Sequence, residues 1–577
     1  MTATANGRAA ETAAQQRPKA AKRQKGDGGE DGEGKSQPQR LLALAEEGVE
    51  LFHDADDEAF ATVIEGKRRF TSRVDGRAFK SALLQRFHRE HGIAPSDEPL
   101  RTAVRTLEAR ARFDGPEREV ALRIARGEGT ILINLGREDG ALVEITPNGW
   151  RIVSDAPIRF IRSPGMLPLP IPERGGRIAS LAQLLHVETK ADFLMVVGWL
   201  LGALAAGPYP IAALTGEQGA AKSSSSRTLR RLIDPNRALL RSLPKEERDL
   251  AVTAMNSHVL AFDNVSGLPA WLSDALCKLA TGGGFSCRAL YTDNAEFIFD
   301  GRRPIINGIE DFATRGDLAD RCLMLRLSPI PEGERRTEAE LDQLFQREAA
   351  RLLGVLLDAA AYGLANPMTL RSRPRMADFA EWVASCEGFF EGAKLPFDAA
   401  TAVWRRGDFM LAYSANRRDA TETVLDADSV GVALRAFMEA RTSWTGTATD
   451  LLGELATLSS DGTRRDREWP ANARGLAGKL RRLAPALRRT GIEIEHIRAG
   501  GKTRARLMTI TYTQPPEFAS EQSDRPKSEV ERGVRTQSRT VRTQSESGIV
   551  RNKSLIQKDV GRSGRKFPYA GRQRCRW

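Results

Sequence analysis

The stretch GEQGAAKS at residues 216–223 decides the fold of the chain around it. It follows an apolar run at 211–214, which predicts a strand, and precedes SSSRTLRRLI, which predicts a helix. A loop in this position can point its backbone N–H groups at phosphates, with the positive end of the helix dipole behind them. The stretch therefore predicts a P-loop that binds ATP and Mg²⁺.

Each position of this loop has an expected role. Lys222 is expected to contact the β and γ phosphates, and the hydroxyl of Ser223 is expected to bind Mg²⁺. The other predicted nucleotide contacts lie in the loop and the first helical turn: Gly216, Gly219, Ala220, Ala221 and Ser224. The position before the lysine is usually glycine in such loops and is Ala221 here, the smallest departure that a side chain can make.

A carboxylate at the end of a second apolar strand completes the predicted metal site. Residues 259–263 read VLAFD, and a strand beside the P-loop strand would aim Asp263 at the hydrated Mg²⁺. The next residue is Asn264, where many hydrolytic ATPases carry a glutamate that polarises water. Because asparagine cannot act as a base, either amide groups orient the water or turnover is slow, and the sequence leaves both open.

Two further positions are candidates for the hydrolytic machinery. The third strand, residues 303–308, contains Asn307, which could hold the attacking water or a γ-phosphate oxygen; its alternative role is turn formation before a glycine. Arg321 opens the next strand and could reach a neighbouring subunit to stabilise the transferring phosphoryl group. A salt bridge with Asp317 or Asp320 is the alternative for Arg321, and Arg315 is the second candidate for the reaching arginine.

Composition sets broad limits on the function. The chain has 577 residues and a net charge of +12, which favours an anionic partner such as nucleic acid or a membrane surface. Its five cysteines form no CxxC pair, so neither a disulfide framework nor a zinc site is predicted, and a reducing cytoplasm is expected. The apolar run at 193–206 is shorter than the roughly 20 residues of a membrane span, so it predicts a buried helix.

The pattern of apolar residues predicts an α/β protein with a parallel sheet in its P-loop domain. Six segments are expected: a disordered basic tail (1–42), a small α+β domain (43–178), the P-loop ATPase domain (179–390), a helical linker or lid (391–440), a winged helix-turn-helix domain (441–515) and a second disordered basic tail (516–577).

Residues 441–512 predict three helices followed by a strand, a turn and a strand, an order that resembles winged helix-turn-helix domains. Such domains place a helix in the major groove and basic wing residues on phosphates, although some bind proteins instead. The candidate DNA contacts of this segment are Arg474, Lys479, Arg481, Arg482, Lys502 and Arg504.

Four blocks taken in order resemble the AAA+ ATPase core of superfamily 3 helicases, found in viral, phage and plasmid primase-helicases. They are GEQGAAKS, VLAFDN, the stretch from LCKLATGGGF to RRPIINGI, and DLADRCLMLRL. The residues that match this family in the middle of the series are Lys278, Thr281, Gly282, Gly283, Arg288, Tyr291 and Asn307. The resemblance implies a ring, usually hexameric, that pulls single-stranded DNA through its centre with hairpin residues, here Arg288 and Tyr291. The whole chain also resembles bacterial ATP-binding proteins of mobile-element type.

Two functions are consistent with these patterns. The first is an oligomeric motor that hydrolyses ATP to translocate on or unwind DNA during replication of a mobile element. The second is a nucleotide-gated initiator or regulator that binds DNA without processive unwinding. Asn264 favours the second and the hairpin block favours the first. A priming activity has no support, because the first 175 residues lack zinc ligands and a clear acidic metal site.

Overall fold

The computed structural model describes residues 36–205, 207–286, 296–299, 301–309, 312–398, 402–498 and 506–513. Most of both predicted tails lies outside the described residues, as do Arg288, Tyr291, Lys502 and Arg504. The first helix begins at Gln37, within the segment that the sequence assigns to the N-terminal tail, and Ser36 closes a capping box on it.

The N-terminal part is a three-stranded antiparallel sheet covered by three helices. Its elements are α1 (Gln37–Glu46), β1 (Val49–His53), β2 (Ala59–Glu65), β3 (Arg68–Arg73), α2 (Arg77–His91) and α3 (Asp97–Phe113). The sheet has the order β1-β2-β3, and its buried face packs with Phe79, Phe87 and Leu107 of the helices in a core of its own.

A four-stranded antiparallel meander follows. It contains β5 (Ile124–Gly127), β6 (Thr130–Asn134), β7 (Leu142–Thr146) and β8 (Gly149–Val153), and the short strands β4 (Val120–Ala121) and β9 (Arg159–Phe160) pair in parallel beside it. Ile131, Ile133, Val143 and Ile145 alternate along β6 and β7 and belong to the same apolar cluster as the helices of the ATPase region. The sequence assigns these strands to a separate domain that precedes the ATPase domain. In the structure, the buried residues of β6 and β7 belong to the core of the ATPase domain.

The P-loop region is an α/β unit with a parallel sheet, as the sequence predicts. Its elements in order are α4 (Lys190–Ala203), β10 (Ile211–Thr215), α5 (Lys222–Ile233), α6 (Glu247–Met255), β11 (Val259–Val265), α7 (Ala270–Thr281), β12 (Gly283–Ser286), β13 (Glu296–Phe299), β14 (Arg303–Gly308), α8 (Gly316–Ala319) and β15 (Cys322–Arg326). The sheet has the order β11-β14-β10-β15, and β12 pairs with β13 as an antiparallel hairpin.

Both faces of the parallel sheet are buried, which is why its strands are continuously apolar. Along β10, Ala212 and Leu214 face one apolar cluster, while Ile211 and Ala213 face the other. The first cluster includes α4, whose residues from Phe193 to Ala203 are all buried. None of the described helices is long and apolar enough to cross a membrane.

The strand order corrects one expectation. The strand that ends near Asp263 does not lie beside the P-loop strand, because β14 pairs with β10 on one side and with β11 on the other. Asn307 on β14 is opposite Leu214, the penultimate residue of the P-loop strand β10. The interposed strand therefore brings Asn307 next to the P-loop.

The rest of the chain is largely helical and ends in a small sheet. The elements are α9 (Glu338–Ala365), α10 (Ala377–Glu387), α11 (Asp408–Asp426), α12 (Ser429–Glu439), β16 (Ser443–Thr447), α13 (Ala448–Leu458), α14 (Asp461–Arg465), α15 (Ala473–Arg489), β17 (Ile492–Arg498) and β18 (Arg506–Tyr512). The antiparallel sheet β16-β18-β17 includes one strand, β16, that the sequence pattern did not predict. Leu451, Leu480 and Ile510 join the cluster on the second face of the parallel sheet.

Candidate nucleotide site

The loop between β10 and α5 has a backbone that only glycine can adopt at its start. Gly216 has a φ of 148°, and a Cβ atom there would lie 2.1 Å from the carbonyl oxygen of Leu327. Gly219 also has a positive φ, of 88°. Leu327 follows β15, so the segment after that strand closes over the loop and fixes its path.

Ala221 occupies the left-handed region, with φ of 54° and ψ of 26°, immediately before α5 begins. This conformation costs an L-residue roughly 1–2 kcal/mol, which explains why glycine is usual at this position. Left-handed residues in such a loop turn successive N–H groups toward one side and so create a concave anion site. The loop therefore keeps a phosphate-binding shape despite the alanine.

Ala221→Gly should raise the free energy of unfolding by about 1 kcal/mol, because glycine removes the left-handed strain and only part of that gain is lost to its unfolded-state entropy. Urea denaturation measures the change. Ala220→Gly is the matched control, since Ala220 is buried and its φ is not positive, and we expect it to lower stability. A lower free energy of unfolding for Ala221→Gly would contradict the conclusion that the left-handed conformation of Ala221 is strained.

The ammonium group of Lys222 lies across the mouth of the loop. Its Nζ donates to the carbonyl oxygens of Gly216 at 2.7 Å and Glu217 at 2.6 Å. Partial burial lowers the pKa of Lys222, and the negative charge of Asp263 partly counters that effect. The lysine thus stands where the sequence predicts a phosphate contact.

Ser223 and Asp263 meet although they lie 40 residues apart. The Ser223 hydroxyl donates to Oδ1 of Asp263 at 2.8 Å. A bulge between Phe262 and Val265 interrupts the pairing of β11 with β14 at this point. A hydroxyl and a carboxylate are hard oxygen ligands of the kind that Mg²⁺ binds beside phosphates, so this pair fits the predicted metal site.

Asn307 is buried, with 1% of its surface exposed, and its side chain connects β11 with the P-loop helix α5. Its Oδ1 accepts the backbone N–H of Asn264 at 3.1 Å, and its Nδ2 donates to Oγ of Ser226 at 3.0 Å. The Ser226 hydroxyl in turn donates to the carbonyl oxygen of Lys222 at 2.9 Å. Asn307 therefore fixes the bulge of β11 against the P-loop helix.

Asn264 itself is exposed and has a φ of 57°, which asparagine tolerates better than most residues.

Arg321 forms an ion pair with Asp317 of its own chain, the alternative that the sequence left open for this residue. Its Nη1 donates to Oδ1 of Asp317 at 2.6 Å, and its side chain is 14% exposed. Burial alone would raise the pKa of Asp317, but the hydrogen bond and charge of Arg321, with the charge of Arg375, lower it overall. Arg315 is more open, with a side chain that is 46% exposed and paired with Asp274 at 2.9 Å.

Arg335 is a neighbour of the P-loop that sequence reasoning missed. The N–H of Ile330 donates to the carbonyl oxygen of Gly219 at 3.2 Å, and Nε of Arg335 donates to the carbonyl oxygen of Ile330, also at 3.2 Å. One terminal nitrogen of Arg335 lies 3.2 Å from the position that a Cβ atom on Gly219 would take. An exposed guanidinium thus stands over the loop. In the sequence, Arg335 is one charge in a charged stretch, and no spacing distinguishes it.

The candidate DNA contacts on α15 fall into two groups. Arg474, Arg481 and Arg482 are exposed and make no ion pair with any residue that the structure describes. Lys479 is 6% exposed, donates to the carbonyl oxygen of Glu468 at 2.7 Å and lies 3.2 Å from a carboxylate oxygen of Asp428. Lys479 is therefore a structural residue, not the DNA contact that the sequence predicts.

Comparisons with known proteins give two family matches. Residues 178–395 match the model described as actinomycete integrative conjugative element replication protein, and residues 430–528 match the model described as AICE RepA C-terminal domain. These two segments together span more than half of the chain. The search of curated proteins gave no match.

Two solved structures align with most of the chain at low similarity. The NrS-1 C-terminal region is 14% identical, with 83% of this chain and 100% of that chain covered and a TM-score of 0.38. SCCmec type IV Cch, described as an active helicase, is 14% identical, with 80% and 92% covered and a TM-score of 0.42. TM-scores this low carry no conclusion about the activity of this chain.

Proposed function

Because the chain belongs to the replication-protein family of actinomycete integrative conjugative elements, we propose that it is an ATP-driven motor that acts on DNA when such an element replicates. The observation that carries the proposal is the Ser223–Asp263 pair, formed at the N-terminus of the helix that follows the loop. A serine hydroxyl and a carboxylate beside a P-loop lysine are the groups that an ATP site needs.

Lys222 and the backbone N–H groups from Gly219 to Ser224 bind the nucleotide phosphates in this proposal, and Ser223 and Asp263 hold Mg²⁺. When bound, the ion neutralises charge on the β and γ phosphates. Lys222 would exchange its two carbonyl partners for phosphate oxygens, a stronger acceptor for an ammonium group. Asn307 keeps the bulge and the P-loop helix in register while this happens.

Basal hydrolysis is expected to be slow. Asn264 can orient water through hydrogen bonds but cannot accept its proton. A neighbouring subunit or bound DNA would then have to improve the geometry. Arg315 is the better candidate for an arginine that acts in trans, because Arg321 would first have to leave Asp317.

We place Arg335 in the nucleotide site of the same chain. Its guanidinium group needs no rearrangement of the P-loop to face a phosphate, and an arginine can bind two phosphate oxygens at once. This residue belongs to the segment that covers the loop, so a contact between Arg335 and a phosphate would link that segment to the bound nucleotide.

DNA contacts are assigned to two places. The β12–β13 hairpin, with the segment between its strands, is the part proposed to grip a single strand in the centre of a homo-oligomeric ring. The exposed arginines of α15, with the sheet β16-β18-β17, are proposed to act as a winged helix on duplex DNA. Arg474 and Arg481 are seven residues apart and so lie on one face of that helix.

The test is steady-state ATP hydrolysis by the full-length protein, with and without single-stranded DNA, at moderate salt. We expect turnover that rises severalfold with DNA and stops when EDTA removes Mg²⁺. Duplex DNA of the same length and concentration is the control for non-specific stimulation by a polyanion.

The second function, a nucleotide-gated DNA-binding initiator or regulator, is favoured by Asn264 alone. It predicts tight ATP binding with negligible turnover under every DNA condition, together with DNA binding that depends on ATP. That result would exclude the motor.

A further inference from the structure

A basic groove separates the N-terminal sheet from the meander and shares no residue with the nucleotide site. We call it the N-terminal groove and define it by Arg68 and Phe70 of β3, Arg137 and Glu138 of the loop after β6, and Arg159 and Arg162 near β9. It is a cavity of about 300 Å³ that adjoins a second one of about 700 Å³. Arg68, Gly136, Arg137, Glu138 and Arg162 line both cavities, so the two cavities are neighbours that share one wall.

The walls of the groove are tied together by polar contacts. The N–H of Arg69 donates to the carbonyl oxygen of Glu138 at 2.9 Å, and Thr71 forms an isolated bridge with Ile161. The Arg69 side chain also crosses the groove and donates to a carboxylate oxygen of Asp155 at 2.6 Å. The groove is therefore a formed feature of the fold and needs no closure to exist.

Two of the groove's cations already have structural partners. Arg159 donates to both carboxylate oxygens of Glu50, at 2.8 Å and 3.1 Å, and is largely buried. Arg137 lies 3.1 Å from a carboxylate oxygen of Asp139. Their charges are largely neutralised within the chain, so neither is expected to bind a ligand strongly.

Three other cations that line the two cavities, Lys67 in the second of them, are exposed and have no ion-pair partner among the described residues. The side chains of Lys67, Arg68 and Arg162 form no ion pair and no hydrogen bond with any residue in the described ranges. The linings of the two cavities contain six cations (Lys67, Arg68, Arg69, Arg137, Arg159 and Arg162) and four carboxylates (Glu65, Glu138, Asp139 and Asp155), so positive charge is in excess by two. The guanidinium of Arg68 lies over the ring of Phe70, 5.3 Å from its centroid, and this leaves its N–H groups free for an acceptor.

We propose that the N-terminal groove binds a single strand of DNA, with Arg68 and Arg162 on successive phosphates and the Arg68–Phe70 pair against a base. Two adjoining cavities with unpaired cations offer sites for successive phosphates of a chain, which a single compact anion does not need, and a planar cation above an aromatic ring suits stacking without base specificity. The inference rests on the proposed function, because a motor needs one contact to retain the strand while another releases it.

The test measures the affinity of the full-length protein for a fluorescein-labelled oligothymidylate by anisotropy over a series of salt concentrations. The double substitution Arg68→Ala with Arg162→Ala should weaken binding by roughly 10-fold or more, and the slope of log affinity against log salt should fall by about 0.7 for each phosphate that the variant no longer neutralises. The matched control is Arg101→Ala with Arg105→Ala, which removes the same charge from exposed positions on α3 outside the groove.

Equal loss of affinity in the control, or unchanged affinity in the groove variant, would overturn the proposal. So would displacement of the oligonucleotide by a mononucleotide or inorganic phosphate at equal phosphate concentration, which would assign the groove to a small anion. Thermal unfolding of both variants should match the wild type, because neither pair of arginines makes contacts that the fold requires. The failure of the proposed motor function is detected by a different measurement, ATP hydrolysis. A wild-type protein without ATP turnover can still bind the strand through the groove.

Discussion

Lys222→Ala should lower kcat for ATP hydrolysis by about 100- to 1000-fold, the loss expected when one preorganised donor to transition-state charge is removed. Lys222 lies at the mouth of the loop, and its partners Gly216 and Glu217 hold it there through backbone carbonyls that the substitution does not alter. Steady-state turnover with saturating DNA measures the effect.

Two variants control the interpretation of that loss. Lys222→Arg keeps the charge but replaces a compact ammonium by a planar group, so partial activity should return. Arg335→Ala should act mainly on KM for ATP, by about 10- to 150-fold, because one charge-assisted hydrogen bond to phosphate contributes roughly 1.5–3 kcal/mol. Hydrolysis that survives Lys222→Ala at more than a tenth of the wild-type rate would contradict the site.

The sequence was sufficient for the local elements of the site because each has its own signal. A strand, a glycine loop and a helix are contiguous in the chain, so the loop and the positions of Lys222 and Ser223 at the start of its helix could be predicted together, while their contacts with phosphate and Mg²⁺ stay predictions. The order of the strands could not be predicted in this way. Chain order places β11 before β14, and only the folded sheet inserts β14 between β10 and β11.

Long-range contacts account for other differences. The approach of Arg335 to Gly219 depends on the path of the segment after β15, which has no periodic pattern. By contrast, the burial of Lys479 could have been predicted from the helical spacing of its neighbours in the sequence. It lies three residues after Leu476 and four before Leu483, both buried, so helical spacing placed it on the core side of α15. The arginine-rich composition of that helix concealed the pattern.

A buried ion pair adds to the apolar contacts that join the meander to the ATPase core. Arg123, at 0% exposure, precedes β5, and Asp234, at 2% exposure, ends the P-loop helix. The Arg123 Nε lies 3.1 Å from Asp234 Oδ1, while Oδ2 accepts the N–H groups of His258 and Val259 at 3.0 and 3.1 Å. One carboxylate thus joins the meander, the end of α5 and the start of β11. Burial lowers the pKa of Arg123, and the charge of Asp234 counters part of that shift.

Asp234→Ala should lower the free energy of unfolding by about 3–5 kcal/mol, because it leaves the guanidinium of Arg123 buried without a counter-charge and removes an acceptor from two backbone N–H groups. Urea denaturation followed by tryptophan fluorescence measures the loss. The matched control is Glu46→Ala, which breaks the exposed Arg110–Glu46 pair and should cost no more than about 1 kcal/mol. Replacing both partners, as Arg123→Met with Asp234→Leu, should recover part of the loss if the unpaired charge is its main cause. Equal, small effects for Asp234→Ala and Glu46→Ala would mean that the buried pair does not hold the meander to the core.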